Sequence, residues 1–258
     1  MALFAIRTLK ETLLTLNDDE LELAENHIFE PEYHQDKYVS ACEDVAAQPG
    51  AFQLGSAPGL VAPLVRGAQP SYADDEKEPE SLEFEGLVMP DGSILDSDGN
   101  KRNVCALKSN CVRRGYVDYS LARSVSREFY EKKKKAQIKE NDILINSTGD
   151  GTIGRVAVFN SKFPAMVDGH ISIVRFRDPD DAWYVAAFLL SDLGQRQIYR
   201  YINGSSGQVE IYPQDLARIW VKPPKSPAHK KAVADGLRTA AGLHLDFYRK
   251  LQTALTAV

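Results

Sequence analysis

The chain has 258 residues, 43% hydrophobic and 26% charged, enough apolar material to fill a core without metal or disulfide staples. Its longest clean apolar run, Trp183 to Leu190, is eight residues against the roughly 20 that span a bilayer, and the composition is neither disordered nor collagen-like. The net charge of −5 hides a split: residues 1–100 carry 5 Lys and Arg against 21 Asp and Glu, and residues 101–258 carry 26 against 15, which directs a polyanion to the second part.

Met1 to Leu16 holds Arg7, Lys10 and Glu11 inside its apolar pattern and does not read as a secretory signal. Cys42, Cys105 and Cys111 form an odd set without a CxxC pair, which reads as reduced thiols in a cytoplasmic protein. The histidines show no HExxH and no metal-ligand spacing, so no metal site is expected.

Leucines among acids predict a helical lead over Thr8–Asn26, with a break near Asn17-Asp18. A second helix is predicted over Asp36–Ala47, stopped by Pro49-Gly50. Glycines and prolines between Gly50 and Tyr72 predict a loop-rich crossing with short strands. Residues 73–103 read as an acidic surface insertion, with Asp91-Gly92 and Asp98-Gly99 favouring hairpin turns. Strands are predicted at Val104–Leu107, Gly115–Tyr119, Asp142–Asn146, Arg155–Phe159 and His170–Phe176. Helices are predicted at Val125–Lys135 and Ala182–Tyr201. Pro223 to Pro227 is a stiff connector before a terminal helix, Ala228–Val258. Its apolar stripe, Val233, Leu237, Ala240, His244, Phe247 and Leu251, averages 3.5 residues, the coiled-coil period. Such a stripe either folds back on its own globule or pairs with another helix, and the proline hinge favours pairing.

Gly149 to Gly154 fits GxGxxG, but Arg155 to Phe159 alternates like a strand, so a phosphate would meet no helix N-terminus and the segment reads as a turn between strands. Asp118 with Glu131 and Lys133 has the D…ExK spacing of Mg²⁺ nucleases, yet the run Glu131-Lys132-Lys133-Lys134-Lys135 makes an ExK match nearly automatic. The Asn/Asp-Pro-Pro-aromatic loop of amino-methyltransferases is missing. Asp168-Gly169-His170 fits a general base less well than a structural or contact histidine. Tyr199 to Gln208 joins a basic helix end to an amide-rich loop, side chains that can bridge bases in the major groove or cap their own helix.

Leu107 to Asn110, Val117-Asp118, Arg123 to Ser126, Lys139 to Ile145, Ser147 to Gly154, Asp168 to His170, Leu190 to Asp192, Gly204 to Gln208 and Ile219 to Pro224 come in the order of a type I restriction-modification DNA specificity subunit, which the chain resembles from about Glu30 onward. Glu30 to His34 and Gly67 to Tyr72 are similar to the opening of its target-recognition domain. The resemblance implies an α+β protein: a mixed α/β recognition domain with a twisted sheet over residues 30–225, after an unassigned lead at 1–29, then a spacer and dimerisation helix at 226–258. Full-length members carry two such domains and two helices, so this chain resembles a half-subunit that pairs with a second copy or a relative. It further implies a non-catalytic subunit that reads half of a bipartite site in double-stranded DNA for an adenine-methyltransferase modification subunit and, in some systems, a restriction subunit. S-adenosylmethionine, ATP and Mg²⁺ would then sit on those partners, with no cofactor on this chain and no membrane involved.

The residues expected to meet DNA are Asn110, Arg113, Arg114, Lys132, Lys133, Lys134, Lys135, Ser147, Thr148, Asp150, Thr152, Arg155, Arg196, Arg200, Tyr201, Asn203, Ser205, Ser206 and Gln208. Two other readings stand beside this one: a Mg²⁺ nuclease on Asp118, Glu131 and Lys133, and a DNA mimic whose acidic first hundred residues bind a modification subunit.

Overall fold

The computed structural model describes residues 4–7, 13–16, 31–70, 87–88, 94–95, 104–204 and 209–255. Strands β1 (Phe4–Arg7) and β2 (Leu13–Leu16) pair antiparallel, Phe4 opposite Leu16 and Arg7 opposite Leu13. The helix predicted over Thr8–Asn26 is therefore corrected at Leu13–Leu16, where cross-strand pairing outweighs local helical spacing; its other residues lie outside the described ones. Helix α1 (Asp36–Ala46) follows as predicted and buries Ala41, Cys42 and Val45. The crossing holds β3 (Phe52–Gln53) and β4 (Val65–Arg66). Strands β5 (Leu87–Val88) and β6 (Ile94–Leu95) pair antiparallel; the hairpin turns expected at Asp91-Gly92 and Asp98-Gly99 lie outside the described residues.

Next come β7 (Val104–Leu107), β8 (Arg123–Val125), α2 (Arg127–Lys132), β9 (Gln137–Ile138), β10 (Ile143–Asn146), β11 (Val156–Val158), β12 (Ala165–Val167) and β13 (Ile171–Val174). Helices α3 (Pro179–Leu190), α4 (Asp192–Arg200) and α5 (Pro213–Leu216), strand β14 (Trp220–Val221) and helix α6 (Pro227–Leu255) complete the chain. One four-stranded sheet, in the order β11-β10-β13-β4, is antiparallel throughout. The other, β8-β7-β12-β9, contains the parallel pair β7 and β12.

Strand alternation explains how these sheets stack. Ile143, Ile145, Val156 and Val158 face one way and pack with Trp183, Val185, Leu189 and Ile198 of α3 and α4. Leu144, Ala157, Ile171 and Ile173 face the other way and pack with Cys105, Leu107, Ala165 and Val167 of the second sheet. The outer face of that sheet, Val104, Ala106 and Met166, is closed by Phe129 of α2 and Ala136. Helices, sheet, sheet and a short helix thus make four layers. Strand β10 is buried on both faces, and so reads as a continuous apolar run rather than an alternating one.

Three predicted elements are corrected. Gly115–Tyr119 forms no strand; Val112 makes a single bridge to Val117, and a 3-10 turn capped by Asp118 follows. Val125 belongs to β8, because Ser126 accepts the Phe129 N–H at 3.1 Å and starts α2 there; α2 ends at Lys132 and Lys134–Ala136 is 3-10. The helix predicted over Ala182–Tyr201 breaks at Ser191, whose hydroxyl accepts from Gly194 N and caps α4. Strand β12 was not predicted, although Ala165, Met166 and Val167 are fully buried.

Helix α6 lies back on the globule, which the proline hinge had argued against. Ala234, Ala241 and Tyr248, seven residues apart, face inward, and Val233 and Leu237 pack against the same core. Lys230 pairs with Asp178 at 3.0 Å and Asp181 at 2.7 Å, and Arg238 with Asp180 at 2.6 Å, joining α6 to the start of α3. Val233 and Leu237 are thereby corrected from dimerisation residues to packing ones. The small Ala234 and Ala241 let the helix approach closely, moving the buried stripe off the predicted one. Ala240 and His244 remain exposed, His244 stacking on Tyr116 with ring centroids 3.6 Å apart. Leu243, Phe247, Leu251 and Leu255 form a second stripe, 66%, 65%, 41% and 62% exposed.

Candidate nucleic-acid interface

The glycine-rich turn 147–155 joins β10 to β11, with Gly149, Gly151 and Gly154 all at positive φ and a strand, not a helix, after it. Arg66, at the end of β4, ties this turn to the segment before α5. Its guanidinium pairs with Glu210, donates to the Ile211 carbonyl at 2.8 Å and lies 5.1 Å from the Tyr212 ring. The hydrogen bond that Arg66 donates to the Glu210 carboxylate holds that group below its ordinary range. Glu210 also bridges Thr148 and Asn203 through backbone pairing.

On the other side, the Thr148 hydroxyl meets His170 Nδ1 at 2.7 Å. The His170 N–H donates to Asp168 Oδ1 at 2.9 Å, and its carbonyl accepts from Ser147 N at 2.8 Å. Asn146 Nδ2 donates to the Ser109 carbonyl at 2.7 Å. Five chain segments, 66–69, 109–110, 146–155, 168–170 and the described residues 203–204 with 209–212, therefore converge at one end of the first sheet.

Asp168 is 2% exposed and its Oδ2 has no hydrogen-bond partner among the described residues. Burial lifts its pKa, against the pull of the His170 N–H. A carboxyl with a raised folded-state pKa loses stabilising power as pH rises through that value. Asp168→Asn is accordingly expected to melt higher than the parent at pH 8, with the gain fading as pH falls below the ordinary aspartate pKa of about 3.9, toward pH ~3, where both states of the parent are protonated. Thermal melts across that range decide it, and a pH-independent difference would refute it.

The predicted contact residues divide. Thr148, Asp150, Thr152, Arg155 and Asn203 belong to the converging segments, with Asp150 exposed and Arg155 donating to the Gly151 carbonyl at 3.0 Å. Asn110 is exposed beside them. Ser147 is corrected: it is fully buried, its hydroxyl 2.6 Å from that of Ser172, because β10 carries it beneath the turn. Tyr201 is likewise buried, and Arg200 donates to the Tyr33 carbonyl at 3.0 Å while lying 4.3 Å from the Tyr33 ring, so both hold α4 against residues 31–34. Arg113 faces Asp118 at 3.6 Å, and Arg196 pairs with Asp192 at 2.8 Å. Arg114 and Lys135 are exposed without an ion pair among the described residues; Lys134 pairs with Glu131, Lys133 lies 5.5 Å from the Phe129 ring, and Lys132 is exposed. Ser205, Ser206 and Gln208 lie outside the described residues.

Asp118 is occupied by Ser120 and Arg113, and Glu131 by Lys134, so the D…ExK spacing gathers no shared site. The sequence reading missed Arg66, Glu210 and Tyr212. Their one signal was the position of Arg66 directly before the Gly67-Ala68-Gln69-Pro70 segment.

The model of the type I restriction modification DNA specificity domain matches residues 95–255. The chain belongs to that family. It is a DNA sequence-recognition domain of type I restriction-modification systems, and neither the nuclease nor the DNA-mimic reading finds support. Among solved structures, the specificity domain is similar in fold to the type IIG restriction endonuclease BpuSI, at a TM-score of 0.54 and 11% identity over 88% of this chain and 30% of that one. A type I restriction-modification S subunit from M. genitalium gives 0.40 and 18% over 72% of this chain and 37% of the other. A structure reported for complex assembly and conformational transition of the type I R-M system gives 0.40 and 13% over 96% and 58%. The chain thus spans less than two thirds of each. No curated protein matches its sequence. Among the described residues no helix is long and apolar enough to cross a membrane.

Proposed function

We propose that this specificity domain reads one half of a bipartite DNA site in the cytoplasm for an adenine-methylating modification subunit and, where present, a restriction subunit. The convergence of five segments on one end of a rigid sheet supports the reading most directly, because base recognition needs several side chains held in fixed register. Residues 30–225 form the recognition unit and 226–258 the spacer. The domain performs no bond chemistry; S-adenosylmethionine, ATP and Mg²⁺ serve the partner subunits. Lys132 to Lys135, Arg114 and Arg155 supply phosphate contacts that strengthen binding without selecting sequence.

The exposed stripe of α6 supports pairing with a second copy, which would place two recognition units at a set distance. Phe247→Asp with Leu251→Asp is expected to leave a folded monomer in analytical ultracentrifugation and to weaken association by at least about 100-fold. Sequencing the methylome of cells with and without the gene tests the whole reading: one adenine-methylated bipartite motif should vanish with the gene. An unchanged methylome refutes it.

A further inference from the structure

We infer that His170 reads a base edge in the DNA half-site, with Thr148 as the residue that positions its ring. This deepens the function proposed above and rests on it. His170 is exposed, yet it is fixed from three sides: its N–H by Asp168, its carbonyl by Ser147 and its Nδ1 by the Thr148 hydroxyl at 2.7 Å. Among the described residues Nε2 has no partner. A ring whose inner nitrogen is held and whose outer nitrogen is open presents one hydrogen-bonding atom at a fixed place and angle, which is what discrimination between bases requires.

The surroundings favour a base over a phosphate. Two carboxylates stand beside His170: Asp168, whose Oδ1 accepts its N–H, and Glu210, bridged through its backbone to Thr148; Lys108 also lies within electrostatic reach of Asp168. Asp150 is exposed on the same turn. Of the cations there, Arg66 is spent on Glu210 and the Ile211 carbonyl, and Arg155 donates to the Gly151 carbonyl. An anionic phosphate would be repelled from such a patch, whereas a base edge, uncharged and carrying both donors and acceptors, fits it. Most of the cations suited to phosphate lie elsewhere, at Arg114 and Lys132 to Lys135, and Arg155 stands at the far end of the turn from Thr148.

The test is selection from a randomised duplex library by the full chain, followed by sequencing of the bound fraction at two salt concentrations. The parent is expected to enrich one defined half-site. His170→Ala should enrich the same half-site with a single position relaxed, and lose about five- to 150-fold in affinity for the parent site. Thr148→Val keeps the shape of the side chain but removes the hydroxyl, and should relax the same position to a smaller degree. An unchanged consensus for His170→Ala overturns the assignment. So does a uniform loss over all sequences with a shallower salt dependence, which marks a phosphate contact. A parent chain that enriches nothing overturns the DNA-reading function beneath it. His170 is exposed and Thr148 half-buried, and circular dichroism checks that the variants are folded.

Discussion

Arg175→Ala is expected to cost about 3–5 kcal/mol of folding stability. Asp142 is 1% exposed at the entry to β10, and Arg175 grips it from the end of β13, with Nε on Oδ1 at 2.6 Å and Nη2 on Oδ2 at 2.5 Å. Oδ2 also accepts from Lys139 N at 2.7 Å. The bond to Asp142 lifts the guanidinium pKa still further, so Arg175 is charged at every working pH. Without the arginine, a carboxylate stays enclosed between two strands and the turn at Asn141, whose Oδ1 accepts from Trp183 Nε1 at 2.8 Å. The cost is that of an uncompensated buried charge, larger than the net worth of the pair itself. Removing both charges, as Asp142→Asn with Arg175→Met, should restore much of the loss. Differential scanning calorimetry should show a drop of roughly 10 °C for the single variant and a smaller one for the double. A drop under about 2 °C would mean that water reaches the carboxylate and that the pair is not a structural anchor.

What the amino acids disclosed follows from how locally each feature is determined. Helix α1 and strands β7, β10, β11 and β13 were legible because each has a clear period or a dense apolar run bounded by turn residues. Leu13–Leu16 was misread because its spacing suits a helix and its strand pairing with Phe4–Arg7 comes from another segment. Strand β12, only three residues long, gains its place from the neighbours β7 and β9, and no local pattern announces that. The site divides in the same way. The turn 147–155 was found from its glycines and hydroxyls. Ser147 was misassigned because a one-residue step along β10 decides whether a side chain faces solvent or core. Arg66 and Glu210, 144 residues apart, are joined only by the fold.

Gly67→Ala should be the second most damaging single change, and it bears on recognition as well as stability. A Cβ at Gly67 would fall 2.1 Å from the Asp168 carbonyl oxygen, 2.3 Å from that of Val167 and 2.7 Å from the Val167 carbonyl carbon, all of them backbone atoms. The two chains are held in that contact by Gly67 N to the Ile171 carbonyl at 3.0 Å and Ala68 N to the Val167 carbonyl at 3.1 Å, so neither can retreat without breaking hydrogen bonds. Overpacking against fixed backbone is expected to cost about 3 kcal/mol, the upper end for added methyl groups in packed sites. The strand that must move carries Arg66, and the backbone it would push carries Asp168 and His170, so the substitution strikes the centre of the interface. Specific DNA binding should therefore be lost even at temperatures where the variant remains folded. Gly151→Ala supplies the contrast: its φ of +74° strains an alanine, but no atom lies within 4 Å of the added methyl. About 1 kcal/mol of stability should go there, with the selected DNA sequence intact. Urea melts combined with binding titrations on the selected site separate the two variants. If Gly67→Ala bound that site as tightly as the parent, the close approach of these two backbones would have no part in shaping the reading face.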